Sequence, residues 1–516
     1  MSSAWIIAPI LLPAVAAPLL ILLRKHDPWV RRAVCIGATA LLLLISIGLY
    51  ALASDGAPRA YLLGAWKAPF GIVIVLDRLS ATMVLLTSAL ALCVSIYAAA
   101  GWDLRGRHFH ALFQFQLMGI NGAFLTGDVF NLFVFFEVML IASYGLLLHS
   151  GGPRRISAGF QYVTINLVGS ALFLIAVSLM YNVTGTLNMA DLALQTQSVA
   201  PENAALLKVS ALLLFLVFAI KAALAPLHLW LPTAYSAASA PAAALFAVMT
   251  KVGAYCIIRV YSLAFGPDAG PVANIVEPWI MPAALATLVI GAAGVLASRS
   301  LAGLAVFAVL WSTGTLLSVF GSLDARSLSA ALYYAVHSTL AAAALFLVID
   351  LIVSRRTAGG ELVACSPVAQ ATLLGGAFFL AAVSLTGMPP LSGFIGKLLV
   401  LDASRAAPGG AWIWTFILAS SLVVIAGFAR AGSLVFWRAE EGAAPKAAAE
   451  PVSRAAGVAA CALIGATALM AAFAGPVTRE LDLTASQILD RAGYVRAVLG
   501  ADTPVRFADW QGGKQP

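Results

Sequence analysis

Apolar runs of spanning length recur from one end of this chain to the other, and that recurrence decides the fold class before any motif is considered. A helix needs about 20 mostly apolar residues to cross the hydrocarbon core of a bilayer. Runs of that kind lie near 4–23, 33–53, 79–100, 110–127, 128–149, 159–183, 208–231, 239–263, 276–297, 301–321, 327–353, 369–402, 411–436 and 455–475. They predict an all-α polytopic membrane protein of about fourteen transmembrane helices. Only Thr126, Gly127 and Asp128 separate the fourth run from the fifth. The run 369–402 is long for one pass and contains Pro389-Pro390, which predicts a broken helix. Composition points the same way. The chain is 62% hydrophobic and 10% charged, whereas a soluble protein needs roughly a quarter of its residues charged.

The net charge of +8 is not a nucleic-acid signal, because the basic residues sit in ones and twos between apolar runs, as anchors do. Loops after odd-numbered runs hold Arg24, Lys25, Arg31, Arg32, Arg105, Arg107, Arg154, Arg155, Arg299, Arg355, Arg356, Arg438, Lys446 and Arg454. The opposite loops hold fewer, such as Arg59, Lys67, Arg326 and Arg405. Odd helices are therefore expected to end in the cytoplasm, with both termini outside. Cys35, Cys93, Cys256, Cys365 and Cys461 are scattered and form no metal or disulfide framework. Gly393-Phe394-Ile395-Gly396-Lys397 lacks the first glycine and the Ser/Thr of a phosphate loop. No metal, cofactor or nucleotide is expected. Residues 1–23 form a retained first helix in this reading, and the polar tail after Pro476 is a surface helix or a partner contact.

Ionisable groups in the middle of apolar runs cost about 2.5–3.5 kcal/mol each on insertion scales, so they mark function by default. Glu137 sits inside Phe133-Val134-Phe135-Phe136-Glu137-Val138-Met139 and suits a charge partner for a buried lysine. Lys221 precedes Pro226, which breaks its helix. Such breaks expose carbonyls that line ion sites near the midplane, and an ammonium stripped of water can release and regain a proton. Lys251, in Thr250-Lys251-Val252-Gly253, is the next station. His337, in Tyr333-Tyr334-Ala335-Val336-His337-Ser338, suits a relay. Lys397 follows Gly387-Met388-Pro389-Pro390-Leu391-Ser392-Gly393, a second break beside a lysine. Two such breaks in one chain predict an inverted-repeat transporter. His228, next to the first break, is a further proton carrier. Asp350 is expected to meet Arg355 or Arg356, Asp128 to cap a helix, and Arg259 and Arg430 to snorkel from span ends.

These strings resemble one family. Phe135-Phe136-Glu137-Val138-Met139, Ile220-Lys221-Ala222-Ala223 running to Pro226-Leu227-His228-Leu229-Trp230-Leu231-Pro232, and Gly387 to Phe394 with Lys397 are similar to the antiporter-like subunits of respiratory complex I and of Mrp-type Na⁺/H⁺ antiporters. Within it, 130–144, 181–192 and 250–253 resemble the D subunits of the Mrp antiporters. The resemblance spans about residues 70–440 and implies fourteen helices, with helices 4–8 and 9–13 as an inverted pair. The expected division is 1–109 (helices 1–3), 110–263 (first repeat), 264–440 (second repeat) and 441–516 (last helix and tail). It also implies a subunit that works with other membrane subunits in a bacterial cell membrane, exchanging protons for Na⁺ or another monovalent cation, and that is not itself an enzyme. The chain departs from many relatives, which carry a lysine shortly after the match to His337, where this sequence has Ala342. The tenth helix offers only Trp311, Ser312, Thr313, Thr315 and Ser318, so the middle of the path is expected to depend on water and hydroxyls. Two rivals remain at this point: a proton-pumping subunit of an NADH:quinone oxidoreductase or membrane-bound hydrogenase, and a scaffold with no ion path.

Overall fold

The computed structural model describes residues 3–320, 323–438, 452–505 and 507; Lys446, expected as a loop anchor, lies outside them. The chain begins with α1 (Ala8–Leu22) and α2 (Pro28–Ala53). A short hairpin follows, the exception to the all-α expectation: β1 (Arg59–Leu62) pairs antiparallel with β2 (Val73–Leu76), Arg59 opposite Leu76 and Leu62 opposite Val73. Next come α3 (Arg78–Ala98), α4 (Phe109–Leu125), α5 (Val129–Leu147), α6 (Pro153–Thr184) and the short α7 (Met189–Gln195). The first broken element is α8 (Ala204–Ala222) with α9 (Trp230–Ala237). Then follow α10 (Ala240–Phe246), α11 (Met249–Leu263), α12 (Glu277–Ala297), α13 (Leu301–Leu317) and α14 (Ala325–Val353). The second broken element is α15 (Ala371–Thr386) with α16 (Ser392–Ala403), before α17 (Gly410–Gly432), α18 (Arg454–Ala472), α19 (Ala474–Leu489) and α20 (Arg491–Leu499).

Eleven helices among the described residues are long and apolar enough to cross a membrane. Three other expected runs form shorter pieces: α4, α13, and the pair α15 and α16. Large apolar side chains such as Phe160, Leu422 and Val458 are exposed on the outside of the bundle, as they must be where lipid is the solvent. By contrast, α11 is wholly buried, and α10 is buried from Pro241 onward. The tail is not a loose surface helix, since α19 packs against α14, α3 and α11.

Two halves of the chain repeat one local pattern. In α4 and α5, Gly119 and Gly122 lie against Met139 and Phe135; in α12 and α13, Gly291 and Gly294 lie against Trp311 and Phe307. A Cβ at Gly119 or Gly291 would stand 2.5 or 2.4 Å from the facing backbone nitrogen, so only glycine allows either approach. The links agree too. Asp128 caps α5 through Asn131 N–H at 2.7 Å, and Ser300 caps α13 through Gly303 N–H at 3.1 Å. Val129 and Met189 N–H donate to Leu187 and Gly127 carbonyls at 2.9 and 2.8 Å; Leu301 and Leu362 N–H donate to Gly360 and Arg299 carbonyls, both at 2.8 Å. One pass each by α5, α6, α8–α9, α10–α11 and α12 sets these two links on opposite faces.

The two breaks match as well. Ala223 and Gly387 take the left-handed conformation at the ends of α8 and α15. The next residues, Leu224 and Met388, donate back to the Ala219 and Val383 carbonyls at 2.9 and 3.1 Å, a Schellman-type stop. A proline follows three residues after each left-handed residue, Pro226 and Pro390.

Candidate functional site

Glu137 on α5 and Lys221 on α8 are joined through α6. The Ser170 hydroxyl donates to Glu137 Oε1, and Lys221 Nζ donates to Asn166 Oδ1 at 2.9 Å. Asn166 and Ser170 are four residues apart and share one face of α6. Gly169 beside them lies next to the ammonium, a Cβ there standing 3.8 Å from Lys221 Nζ, in ordinary contact. Glu137 and Lys221 form no direct ion pair within 4.0 Å; they interact at longer range, and the Phe136 ring lies 5.8 Å from the ammonium. The expected charge partners are thus neighbours bridged by a hydroxyl and an amide.

Lys221 stands one residue before the end of α8, where unpaired helix carbonyls favour a cation. Two backbone groups at the break find side-chain partners. Trp230 Nε1 donates to the Ile220 carbonyl at 2.9 Å, and Ala225 N–H donates to Thr287 Oγ1 at 2.8 Å. His228 lies in the same turn, and its buried Nδ1 has no protein partner. No hydrogen bond joins its side chain to the other candidates among the described residues.

Lys251 lies in α11, one turn beyond an interruption at Ala247-Val248 that the sequence reading ran through as a single span. Its Nζ reaches Ser312 Oγ on α13 at 3.4 Å. Gly253 fixes α11 against the first break, because a Cβ there would lie 2.4 Å from Ala222 N. Lys397 Nζ, in α16, donates to the Thr386 carbonyl across the second break and to Ser421 Oγ at 2.9 Å. The Trp311 ring lies 4.1 Å from this ammonium, and the indole N–H donates to Ser420 Oγ at 2.9 Å. His337 Nδ1 is 2.8 Å from Ser392 Oγ, and the ring interacts electrostatically with both Lys251 and Lys397. Adjacent residues of α13, Trp311 and Ser312, therefore touch the two lysines on either side of His337. Lys221, Lys251, His337 and Lys397 are all at least nine-tenths buried.

Of the weaker charged candidates, Arg259 departs from the sequence reading. Asp350 accepts from Tyr97 Oη and Trp102 Nε1, each at 2.7 Å, and interacts electrostatically with Arg355, one of its two expected partners, while Arg356 donates to the Glu361 and Val363 carbonyls. Arg259 does not snorkel; it is buried and paired with Asp77 at 2.6 Å. Arg430 donates to the Ser298 carbonyl at 2.5 Å. In the turn after α3, burial opposes the charge of Asp103, yet hydrogen bonds from His110 and Arg32 hold its carboxyl down to about 2. No cluster of three or more metal-ligating side chains occurs among the described residues. Serine and asparagine partners such as Ser170, Asn166 and Ser392 escaped the sequence reading, since such residues also occur as ordinary helix–helix contacts.

Broken apolar helices around a file of buried ammonium and imidazole groups, with the half-buried Glu137 carboxylate at one end, define a multi-pass helical membrane protein with an ionisable core. The family described as NADH:quinone oxidoreductase/Mrp antiporter, TM, matches residues 126–425, and the chain belongs to it. It is 41% identical over 530 residues to the D subunit of a probable K(+)/H(+) antiporter of Rhizobium meliloti, covering 96% of this chain and 97% of that one. It is 37% identical to the D subunit of the Na(+)/H(+) antiporter of Bacillus subtilis, covering 86% and 88%. Among solved structures, a chain of the Mrp complex from Dietzia sp. superposes with TM-score 0.86 at 27% identity, covering 97% of this chain and all of that one. A chain of respiratory complex I from Thermus thermophilus superposes with TM-score 0.78 at 25% identity, covering 94% and 99%.

Proposed function

We propose that this chain is a membrane subunit of a multi-subunit monovalent cation/proton antiporter in a bacterial cell membrane, and that it supplies a proton path through Glu137, Lys221, Lys251, His337 and Lys397, with His228 at its side. It is a transporter subunit and not a catalytic one. The observation that carries the reading is the file of buried ionisable groups, each held by a hydroxyl, an amide or a backbone carbonyl beside an interrupted helix. The extent of the likeness to antiporter D subunits favours exchange over redox-driven pumping. The matched links, glycine contacts and breaks support 110–263 and 264–440 as inverted repeats, with 1–109 and 441–516 flanking them.

In this mechanism Glu137 holds Lys221 charged from across α6. As that hold weakens, the Lys221 proton moves to Lys251, and His337 and Lys397 carry it on. The membrane potential supplies about 2.3 kcal/mol per charge per 100 mV, enough to change a protonation balance by more than tenfold. Partner subunits complete the cation route. The test is Lys221→Ala in the assembled complex, with cation-driven pH change recorded in vesicles. Loss of exchange is expected, and exchange at the native rate removes the proton path.

A further inference from the structure

The proposed path runs from helix to helix across the bundle, from Glu137 to Lys397, and gives Lys251 no link to either surface. The helix that carries it supplies one. Lys251, Tyr255 and Arg259 recur every four residues and line one side of α11. From Lys251 to Arg259 the helix climbs about 12 Å, close to half of a ~30 Å hydrocarbon core. Tyr255 Oη donates to the Phe124 carbonyl at 2.6 Å, and Arg259 Nε donates to Tyr255 Oη at 3.3 Å. Arg259 also meets Asp77 at 2.6 Å with both side chains buried. Asp77 starts α3 directly after the hairpin, accepting from Ser80 N–H at 2.8 Å.

A buried ion pair is weak evidence for stability, because desolvation offsets most of its attraction. Inside a membrane protein such groups mark ion pathways by default. Asp77 pairs with Arg259 of α11 and interacts electrostatically with Tyr255 of α11 and Tyr494 of α20. Tyr494 lies 5.4 Å from the Arg259 guanidinium and also interacts with Asp128. Neighbouring Arg78 turns away to Glu480 of α19. The tail helices therefore close over this end of α11.

We propose that Tyr255 and the Asp77–Arg259 pair form the outer gate of the proton path, joining Lys251 to the face that bears the hairpin. This rests on the proton-path reading above. A proton leaving the Lys251 ammonium passes to the Tyr255 oxygen, and the hydroxyl, turning from the Phe124 carbonyl, gives up its own. The Asp77 carboxylate receives it and becomes a neutral acid, and its pairing with Arg259 lapses. Release of that proton to outer water restores the pair, and Arg259 stays charged throughout. Tyr255 is a relay, Asp77 the port, and Arg259 a positioning residue.

The test uses the assembled complex in vesicles, with Tyr255→Phe and Asp77→Asn beside Lys221→Ala. Tyr255→Phe keeps the ring against Phe124 and removes only the hydroxyl. Proton flux is expected to fall about tenfold, equivalent to ~1.4 kcal/mol in the barrier, with the complex still assembled and only a modest drop in the thermal unfolding midpoint from the two hydrogen bonds lost. Asp77→Asn is expected to flatten the dependence of flux on pH at the hairpin face. Native flux and pH profile in Tyr255→Phe, with Lys221→Ala inactive, overturn the outer gate alone. Should Asp77→Asn fail to assemble, Tyr255→Phe decides. Activity in Lys221→Ala overturns the path itself.

Discussion

Trp311 is the sharpest place to perturb this protein, because its ring faces one path lysine while its neighbour Ser312 holds another. A desolvated cation–π contact contributes about 2 kcal/mol or more. Trp311 is fully buried, so Trp311→Leu should remove about that much support from the Lys397 ammonium. Two kcal/mol is roughly a 30-fold factor in an equilibrium constant or a rate. Cation-driven proton flux in vesicles should fall by about 30-fold in Trp311→Leu and by only a few-fold in Trp311→Phe, which keeps an aromatic face. Cavity formation is the rival explanation. Leu304→Ala, on the same helix and equally buried, controls for it. It should lose about 2–5 kcal/mol of stability while keeping most of its flux. Trp311→Leu within twofold of native flux, in an assembled complex, would refute the reasoning.

Three further outcomes follow from the geometry. Asn166→Leu removes the acceptor at 2.9 Å from Lys221 Nζ; a hydrogen bond to a charged group contributes about 1.5–3 kcal/mol, so proton flux in vesicles should drop by about tenfold or more. Gly291→Ala sets a Cβ 2.4 Å from Trp311 N and should lower the thermal stability of the complex by about 1–3 kcal/mol, whereas Gly465→Ala, with nothing within 4 Å, should not. Asp103 is held at about 2 against an ordinary 3.8, so its charge contributes about 2.5 kcal/mol of stability above pH 4, lost as pH falls from about 4 through about 2. The stability gap between native protein and Asp103→Asn should therefore be full at pH 7 and narrow steadily below pH 4 in thermal unfolding.

Much of this was legible in the sequence because lipid imposes a simple rule. Apolar runs became helices, and lysines stranded inside them stood out by cost alone. Pro226 and Pro390 announced the two breaks, since proline cannot continue a helix. The interruption at Ala247-Val248 gave no such warning; it lies in Ala244-Leu245-Phe246-Ala247-Val248-Met249, where no residue resists a helix. Arg259 was expected at the interface because its partner, Asp77, lies 182 residues away, and sequence distance carries no contact. Trp311 and Ser312 were visible only as polar groups in the tenth run, where their contact with the lysines depends on how α13 faces α16 and α11. The strands 59–62 and 73–76 are too short to compete with the helical pattern around them.

Lys251 joins the two halves of the proposed path, so it offers the most direct trial. Lys251→Met keeps the length of the side chain and removes the titratable nitrogen. Proton flux driven by a cation gradient, recorded in vesicles holding the assembled complex, should disappear while the unfolding midpoint holds or rises. Native flux in that variant would contradict the account, because a proton that crosses without Lys251 does not travel along the file of buried ionisable groups.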